Sequence, residues 1–326
     1  MTDLVLHIGL SKCGSTSIQW DLLGHPNYLG RGGEASRYGN RLTRDFLRLS
    51  PINRFPSLDS LDRWSEKAYN HISDRCGGPP GTCVLSSEVL SKPKDSSYEP
   101  LFDFLERLER EIWHWGKVKV VVVIRAQGPR IGSMYAQNSH LHPKAGQAHF
   151  ESFVDQCLEC DVSLKYYELI VGLSARLGLS NVLALCLEEI SSEEFWVDLR
   201  EFTGCQDCEN SESNRLGDTS NKRSATEGTW GVRDPLDPSI SRSVANSILL
   251  WGWPQSLFPG LRLFSRNVIA DIDLRIREFR FRNDVGRPQS IELTQDLHQR
   301  IRSFYSVENQ RLGLMIGKDL KNLGYL

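Results

Sequence analysis

The stretch Leu4-Val5-Leu6-His7-Ile8-Gly9-Leu10-Ser11-Lys12-Cys13-Gly14-Ser15-Thr16-Ser17 decides the fold. Leu4 to Gly9 is short and mostly apolar, which reads as a buried strand. Ser15 to Leu23 reads as a helix with Ile18 and Leu22 on one face, stopped by Gly24-His25-Pro26. Between them, Gly9 and Gly14 permit a tight turn that exposes backbone N–H groups. The helix start adds a partial positive charge and Lys12 a full one, while Ser15, Thr16 and Ser17 add hydroxyl donors. These are the parts of an anion cradle. Their order differs from G-x-x-x-x-G-K-[ST], because Lys12 precedes Gly14 and Ser15 follows it.

Working outward, Thr82 to Ser86 reads as a second strand ending near Ser87-Glu88, and Tyr98 to Trp113 as a helix. Lys117 to Arg125 carries the strongest strand pattern in the chain. Pro129 suits the first turn of a helix running to about His140. Asn181 to Leu187 reads as a fourth strand. Continuous apolar strands alternating with helices imply a parallel sheet covered on both faces. The expected fold class is α/β, a P-loop-like parallel β-sheet flanked by helices with a mainly helical C-terminal part. Asn27 to Pro80 reads as loops and short helices, and Cys205 to Asp237 as a long polar loop. Phe195 to Phe202 reads as a helix ended by Gly204. Ser239 to Trp251, Asn267 to Arg280 and Leu293 to Leu320 are the remaining helix candidates. No linker is apparent, so one domain over 1–326 is expected, with a binding core over 1–190 and a helical closing region over 191–326.

The 326 residues, 40% of them hydrophobic, suffice for a sizeable core. A net charge of −2 gives no global field for nucleic acid or an anionic membrane. No run approaches the roughly 20 apolar residues of a membrane span. Met1-Thr2-Asp3 lacks the basic start of a secretory signal, so a cytoplasmic location is expected. Two of the eight cysteines form Cys157/Cys160 and two form Cys205/Cys208, both with C-x-x-C spacing that suits zinc. The pairs are far apart in sequence. The first lies in an amphipathic stretch with Phe150, Phe153, Val154 and Leu158, so packing is the expected role and no metal is expected.

A second anion-binding element follows in Ile124-Arg125-Ala126-Gln127-Gly128-Pro129-Arg130-Ile131-Gly132-Ser133-Met134-Tyr135. Arg125 ends a parallel strand, where ligands of open α/β sheets bind. Ser133 falls early in the next helix. With the first loop, this segment resembles the sulfotransferases that use 3′-phosphoadenosine 5′-phosphosulfate (PAPS), in particular bacterial members similar to the carbohydrate-acting ones. Lys12, Cys13, Gly14, Ser15, Thr16, Ile18 and Gln19 match that family's loop for the 5′-phosphosulfate, and Arg125 and Ser133 match its 3′-phosphate motif. Leu297 to Leu312, with Phe304-Tyr305 and Glu308-Asn309, is similar to its closing helix. Asn221-Lys222-Arg223-Ser224 is similar to its N-x-S segment with one residue extra. Val285-Gly286-Arg287-Pro288 is similar to a K-G-R loop without the lysine, which makes Arg287 a candidate cofactor contact.

The resemblance implies sulfuryl transfer from PAPS to a glycan, glycolipid or small-molecule acceptor, leaving adenosine 3′,5′-bisphosphate and needing no metal. It implies that residues Ser11 to Ser17 cradle the donor, that Lys12 stabilises the leaving group, and that Glu88 is the general base. His140 and His142 are rival bases. A P-loop-type kinase acting on a small molecule would instead show the G-K-[ST] order and a metal-binding aspartate after a strand. A non-catalytic nucleotide-binding protein is the third reading. The cluster Arg275, Arg277, Arg280 and Arg282 reads as a solvated face, and Trp251 and Trp253 as core or rim residues.

Overall fold

Four parallel strands form one sheet in the computed structural model: β1 (Thr2–His7), β2 (Thr82–Ser86), β3 (Trp115–Ile124) and β4 (Val182–Cys186), in the order β2-β1-β3-β4. The structure describes residues 1–22, 25–29, 41–49, 57–93, 96–111, 115–139, 146–205, 228–232 and 290–326. Among the described residues the α-helices are α1 (Ser15–Leu22), α2 (Arg41–Leu49), α3 (Leu58–Cys76), α4 (Glu99–Glu111), α5 (Gln127–Asn138), α6 (Gln147–Cys160), α7 (Tyr166–Leu177), α8 (Glu193–Thr203) and α9 (Gln295–Ile316). The strands are parallel because a helix lies between each and the next, and their apolar runs are buried because both faces need cover. Leu4, Leu6, Val84, Val120, Val122 and Leu185 are all inaccessible to solvent.

The strand order places a topological switch point between β1 and β3. From β1 the chain runs to β2 on one side, and β3 and β4 lie on the other. Loops leaving the C-terminal ends of strands at such a point diverge and leave a crevice, the usual ligand position in open α/β sheets.

The sequence-based element types hold for the four strands: Thr82–Ser86 keeps its expected ends, and the other three shift by one or two residues. The first strand, expected over Leu4 to Gly9, spans Thr2–His7. Ile8 and Leu10 still donate to β3, at Val121 O and Val123 O, but Gly9 at φ 98° has left the extended conformation. Within Asn27 to Pro80, read as loops and short helices, α3 is a 19-residue helix. Its stripe of Leu61, Trp64, Ala68 and Ile72 is buried, and Gly77 closes it in the left-handed conformation. Trp64 packs on Phe46 at 4.4 Å between ring centroids and on Trp115 at 6.1 Å.

The expected polar loop over Cys205 to Asp237 contains a strand, β5 (Thr229–Gly231), paired antiparallel with β6 (Ser290–Glu292). Its partner lies so far along the chain that no local pattern announces the pairing. The helix candidates Ser239 to Trp251 and Asn267 to Arg280 lie outside the described residues, whereas α9 occupies most of the expected Leu293 to Leu320. Among the described residues no helix is long and apolar enough to cross a membrane.

The chain divides into two compact units. One comprises Met1–Arg130, Gln156–Asn221 and His298–Leu326 and contains the parallel sheet. The other comprises Ile131–Asp155 and Lys222–Leu297 and contains the β5–β6 pair. In the second unit Tyr135 packs on Phe150 and Phe153, and the Trp230 ring covers Gly132, where a side-chain carbon would lie 2.6 Å from it.

Candidate functional site

The loop from Gly9 to Gly14 leaves β1 at the switch point and feeds α1. Three of its residues have positive φ: Gly9 at 98°, Lys12 at 67° and Gly14 at 76°. Glycine adopts this region freely. Lys12 does not, so its surroundings must hold it there. Ser17 and Ile18 donate their amides to Gly14 O at 2.9 and 3.3 Å, starting the helix. The amides of Gly14, Ser15 and Thr16 make no hydrogen bond among the described residues. Three open N–H groups at a helix start, beside a lysine, form a site with the right chemistry for an anion.

The side chains of the loop divide by direction. Cys13 is buried, its thiol lies 3.7 Å from Ser11 O, and burial pushes its pKa up to about 11, so it packs as a small apolar group. The Ser15 hydroxyl donates to Leu10 O at 3.3 Å, which leaves Ser15 to offer its amide. Thr16 is half-buried and Ser17 exposed. Gly14 lies against Leu187, so close that a side-chain carbon there would collide with it.

Arg125 follows β3 directly, on the other side of the switch point, and its Nη1 donates to Lys12 O at 3.4 Å. The structure thus brings together the loop and the strand-end arginine, more than a hundred residues apart in sequence. Ser133 is half-buried in the second turn of α5, within the second unit. Arg287, His140 and His142 lie outside the described residues, as do the Asn221 segment, the Arg275 to Arg282 cluster, Trp251, Trp253 and Cys208. Of the other paired cysteines, Cys157 and Cys205 are buried and Cys160 is exposed.

Glu88 begins a single 3₁₀ turn after β2, which neighbours β1, so it too sits at the C-terminal end of the sheet. Its backbone lies against Gly9. Among the described residues the Glu88 carboxylate makes no hydrogen bond or ion pair. Burial raises its pKa above the ordinary glutamate value, while the positive charges of Lys12, Lys92 and Arg130 pull it back. A half-buried, uncommitted carboxylate facing a lysine is chemically suited to accept a proton.

Apart from Gln19, which the loop pattern already marked, sequence reasoning passed over several polar residues that surround the loop. His7 ends β1, fully buried, with Nδ1 2.7 Å from Ser86 Oγ, which also accepts from Gln19 Nε2 at 3.1 Å. Burial lowers the His7 pKa to about 4, so the ring is neutral. Arg130 is buried on α5, and Tyr166 is buried at the start of α7. Gln19 alone had a signal, as the last position of the loop pattern. The others look like ordinary strand or helix residues.

No family model and no curated protein matches the chain. Among solved structures it is similar to a sulfotransferase from Alicyclobacillus acidocaldarius, with a TM-score of 0.48 and 15% identity over 99% of each chain. It is also similar to the sulfotransferase domain of the Synechococcus PCC 7002 olefin synthase. There the TM-score is 0.37 and the identity 12%, over 67% of this chain and 78% of that one.

Proposed function

We propose that this protein transfers a sulfuryl group from PAPS to a hydroxyl or amine of a glycan, glycolipid or small-molecule acceptor. The observation that carries the reading is the pairing of an anion loop, with open amides at Gly14, Ser15 and Thr16, to Arg125 across the switch point. A donor with phosphate groups at both its 5′ and 3′ positions has need of two such anion sites. A Mg-ATP enzyme would need the G-K-[ST] order and a carboxylate after a strand for the metal. Here Ile124 is followed by Arg125, and Lys12 comes before Gly14.

The bound donor supplies the sulfuryl group and a leaving group already carrying phosphate charge. The amides of Gly14, Ser15 and Thr16 and the hydroxyls of Thr16 and Ser17 suit its 5′ end, with Ser11 contributing its amide; Cys13, whose amide donates to Leu10 O, shapes the loop from beneath. Arg125 suits the 3′-phosphate by bidentate charge-assisted bonds, with Ser133 as a second donor and Arg287 as a covering contact. Lys12 places a positive charge where negative charge develops on the leaving oxygen. Glu88 accepts the proton of the acceptor hydroxyl as that oxygen attacks; its raised pKa makes it a better base than a solvated glutamate.

The test is a thermal-shift series followed by transfer of labelled sulfate from PAPS into glycan and metabolite acceptors. Adenosine 3′,5′-bisphosphate should raise the melting temperature well beyond the effect of Mg-ATP. At 100 times Kd, a ligand bound only to the native state adds about 2.7 kcal/mol. Stronger stabilisation by Mg-ATP would favour a kinase.

A further inference from the structure

Two consecutive carbonyls of the anion loop are each taken by an arginine. Arg130 Nε donates to Ser11 O at 3.1 Å, and Arg125 Nη1 donates to Lys12 O at 3.4 Å. The two arginines are themselves joined through Tyr166. Arg130 Nη1 donates to the Tyr166 hydroxyl at 3.3 Å, and that hydroxyl donates to the backbone carbonyl of Arg125 at 2.7 Å. From Ser11 the bonds run through Arg130, Tyr166 and Arg125 and return to the loop at Lys12, closing a ring.

Three features of the ring exceed what stabilising the fold requires. Arg130 is 1% exposed, yet its partners are all neutral: Ser11 O, the Tyr166 hydroxyl, and the carbonyl and hydroxyl of Ser163. A buried guanidinium without a carboxylate is costly, and a hydrophobic residue would fill the space more cheaply. Next, the two clamped carbonyls flank Lys12, whose φ of 67° is unfavourable for a residue with a side chain and persists only where bonds on both sides hold it. Last, the ring spans the β1 loop and the β3 end, the two halves of the site. Burial raises the Tyr166 phenol far above its ordinary pKa, so it keeps the proton it donates to Arg125 O.

We infer that Arg130 and Tyr166 are positioning residues that fix the Lys12 loop against the strand end bearing Arg125, and so set the spacing between the two anion sites. The inference rests on the PAPS reading for its ligand, not for its geometry. Neither residue touches the donor in this scheme. Both act through backbone carbonyls, so a ligand that engages both halves depends on them more than a ligand that engages one.

The test uses Tyr166→Phe, which removes the bridging hydroxyl and keeps the packed ring, with Arg130→Lys as a second variant that keeps the charge and loses the fork. Two readouts are taken on the full chain: affinity for adenosine 3′,5′-bisphosphate against AMP, and amide hydrogen exchange. Tyr166→Phe should weaken the bisphosphate roughly tenfold and AMP by less than about threefold. Exchange should quicken at the Leu10 and Cys13 amides, which are the hydrogen-bonded ones of the loop among the described residues, and not in residues 120–124. Equal weakening of both ligands, with exchange rising throughout the sheet, would mark a merely structural role and overturn the inference. Unchanged exchange at those two amides would overturn it whatever the ligands do. If exchange responds as expected but the unaltered protein binds no bisphosphate, the ring stands and the PAPS reading falls.

Discussion

A side-chain carbon added at Gly9 would lie 3.1 Å from the α-carbon of Glu88. The loop after β1 and the turn after β2 therefore touch backbone to backbone, which glycine alone permits at φ 98°. This approach sets the distance between the anion cradle and the candidate base. Gly9→Ala should destabilise the protein by about 1–3 kcal/mol, through positive-φ strain and displacement of the Glu88 turn. Urea denaturation measures the loss. Turnover should fall further than stability accounts for, because the carboxylate moves with its turn. An alanine variant with unchanged midpoint and activity would show that the contact positions nothing.

Glu88→Gln separates the carboxylate's chemistry from its shape. If Glu88 is the base, turnover drops at least about a hundredfold while affinity for adenosine 3′,5′-bisphosphate stays within about twofold. Stability should move the opposite way. The native carboxyl holds its proton to a higher pH than the unfolded one, because burial disfavours its charge. As pH rises from the ordinary glutamate pKa through the native one, the unaltered protein loses stability, and it stays lower above that window. Glu88→Gln should therefore melt at a higher temperature than the parent near about pH 7, with the gap closing below about pH 4. Normal turnover in Glu88→Gln, with loss in a His140 or His142 variant, would move the base to a histidine.

The loop and Arg125 were legible because their signals are local. Two glycines, a lysine and hydroxyls fall within a few residues, and Arg125 follows the most continuous apolar run in the chain. Arg130 was not, because a charged residue early in a helix reads as solvated. Its burial depends on Ser163 and Tyr166, more than thirty residues later, and on Ser11, more than a hundred earlier. The α3 helix was missed for a related reason: its apolar stripe is narrow, and Asp59, Asp62, Arg63, Glu66 and Lys67 dominate the composition around it. The β5–β6 pair depends on a partner some sixty residues distant.

Arg125→Ala and Ser133→Ala should weaken binding through the 3′-phosphate. Each lost charge-assisted bond is worth about 1.5–3 kcal/mol, or roughly ten- to a hundredfold in Kd. Calorimetric titration with adenosine 3′,5′-bisphosphate and with AMP distinguishes this from general damage. The bisphosphate should lose affinity in both variants and AMP should barely change. Equal losses for the two ligands would place the 3′-phosphate elsewhere.

Glu188 ties the start of α5 to the end of the chain. One carboxylate oxygen accepts from the Ala126 amide at 2.9 Å and the other from the Tyr325 hydroxyl at 2.9 Å. A carboxylate at this position satisfies an amide at the helix start and opposes the positive end of its dipole. Glu188→Ala removes both contacts and strands the hydroxyl of Tyr325, a residue only 1% exposed. The cost should be about 1–3 kcal/mol. Tyr325→Phe should cost less, because water can replace the phenol at the exposed Glu188 side chain. In a double-mutant cycle, the two changes together should cost less than their sum by about 0.5–1.5 kcal/mol, because Tyr325→Phe removes the group that Glu188→Ala leaves unsatisfied. Full additivity in urea denaturation would show that the two residues act independently and that the helix start alone accounts for the loss at Glu188.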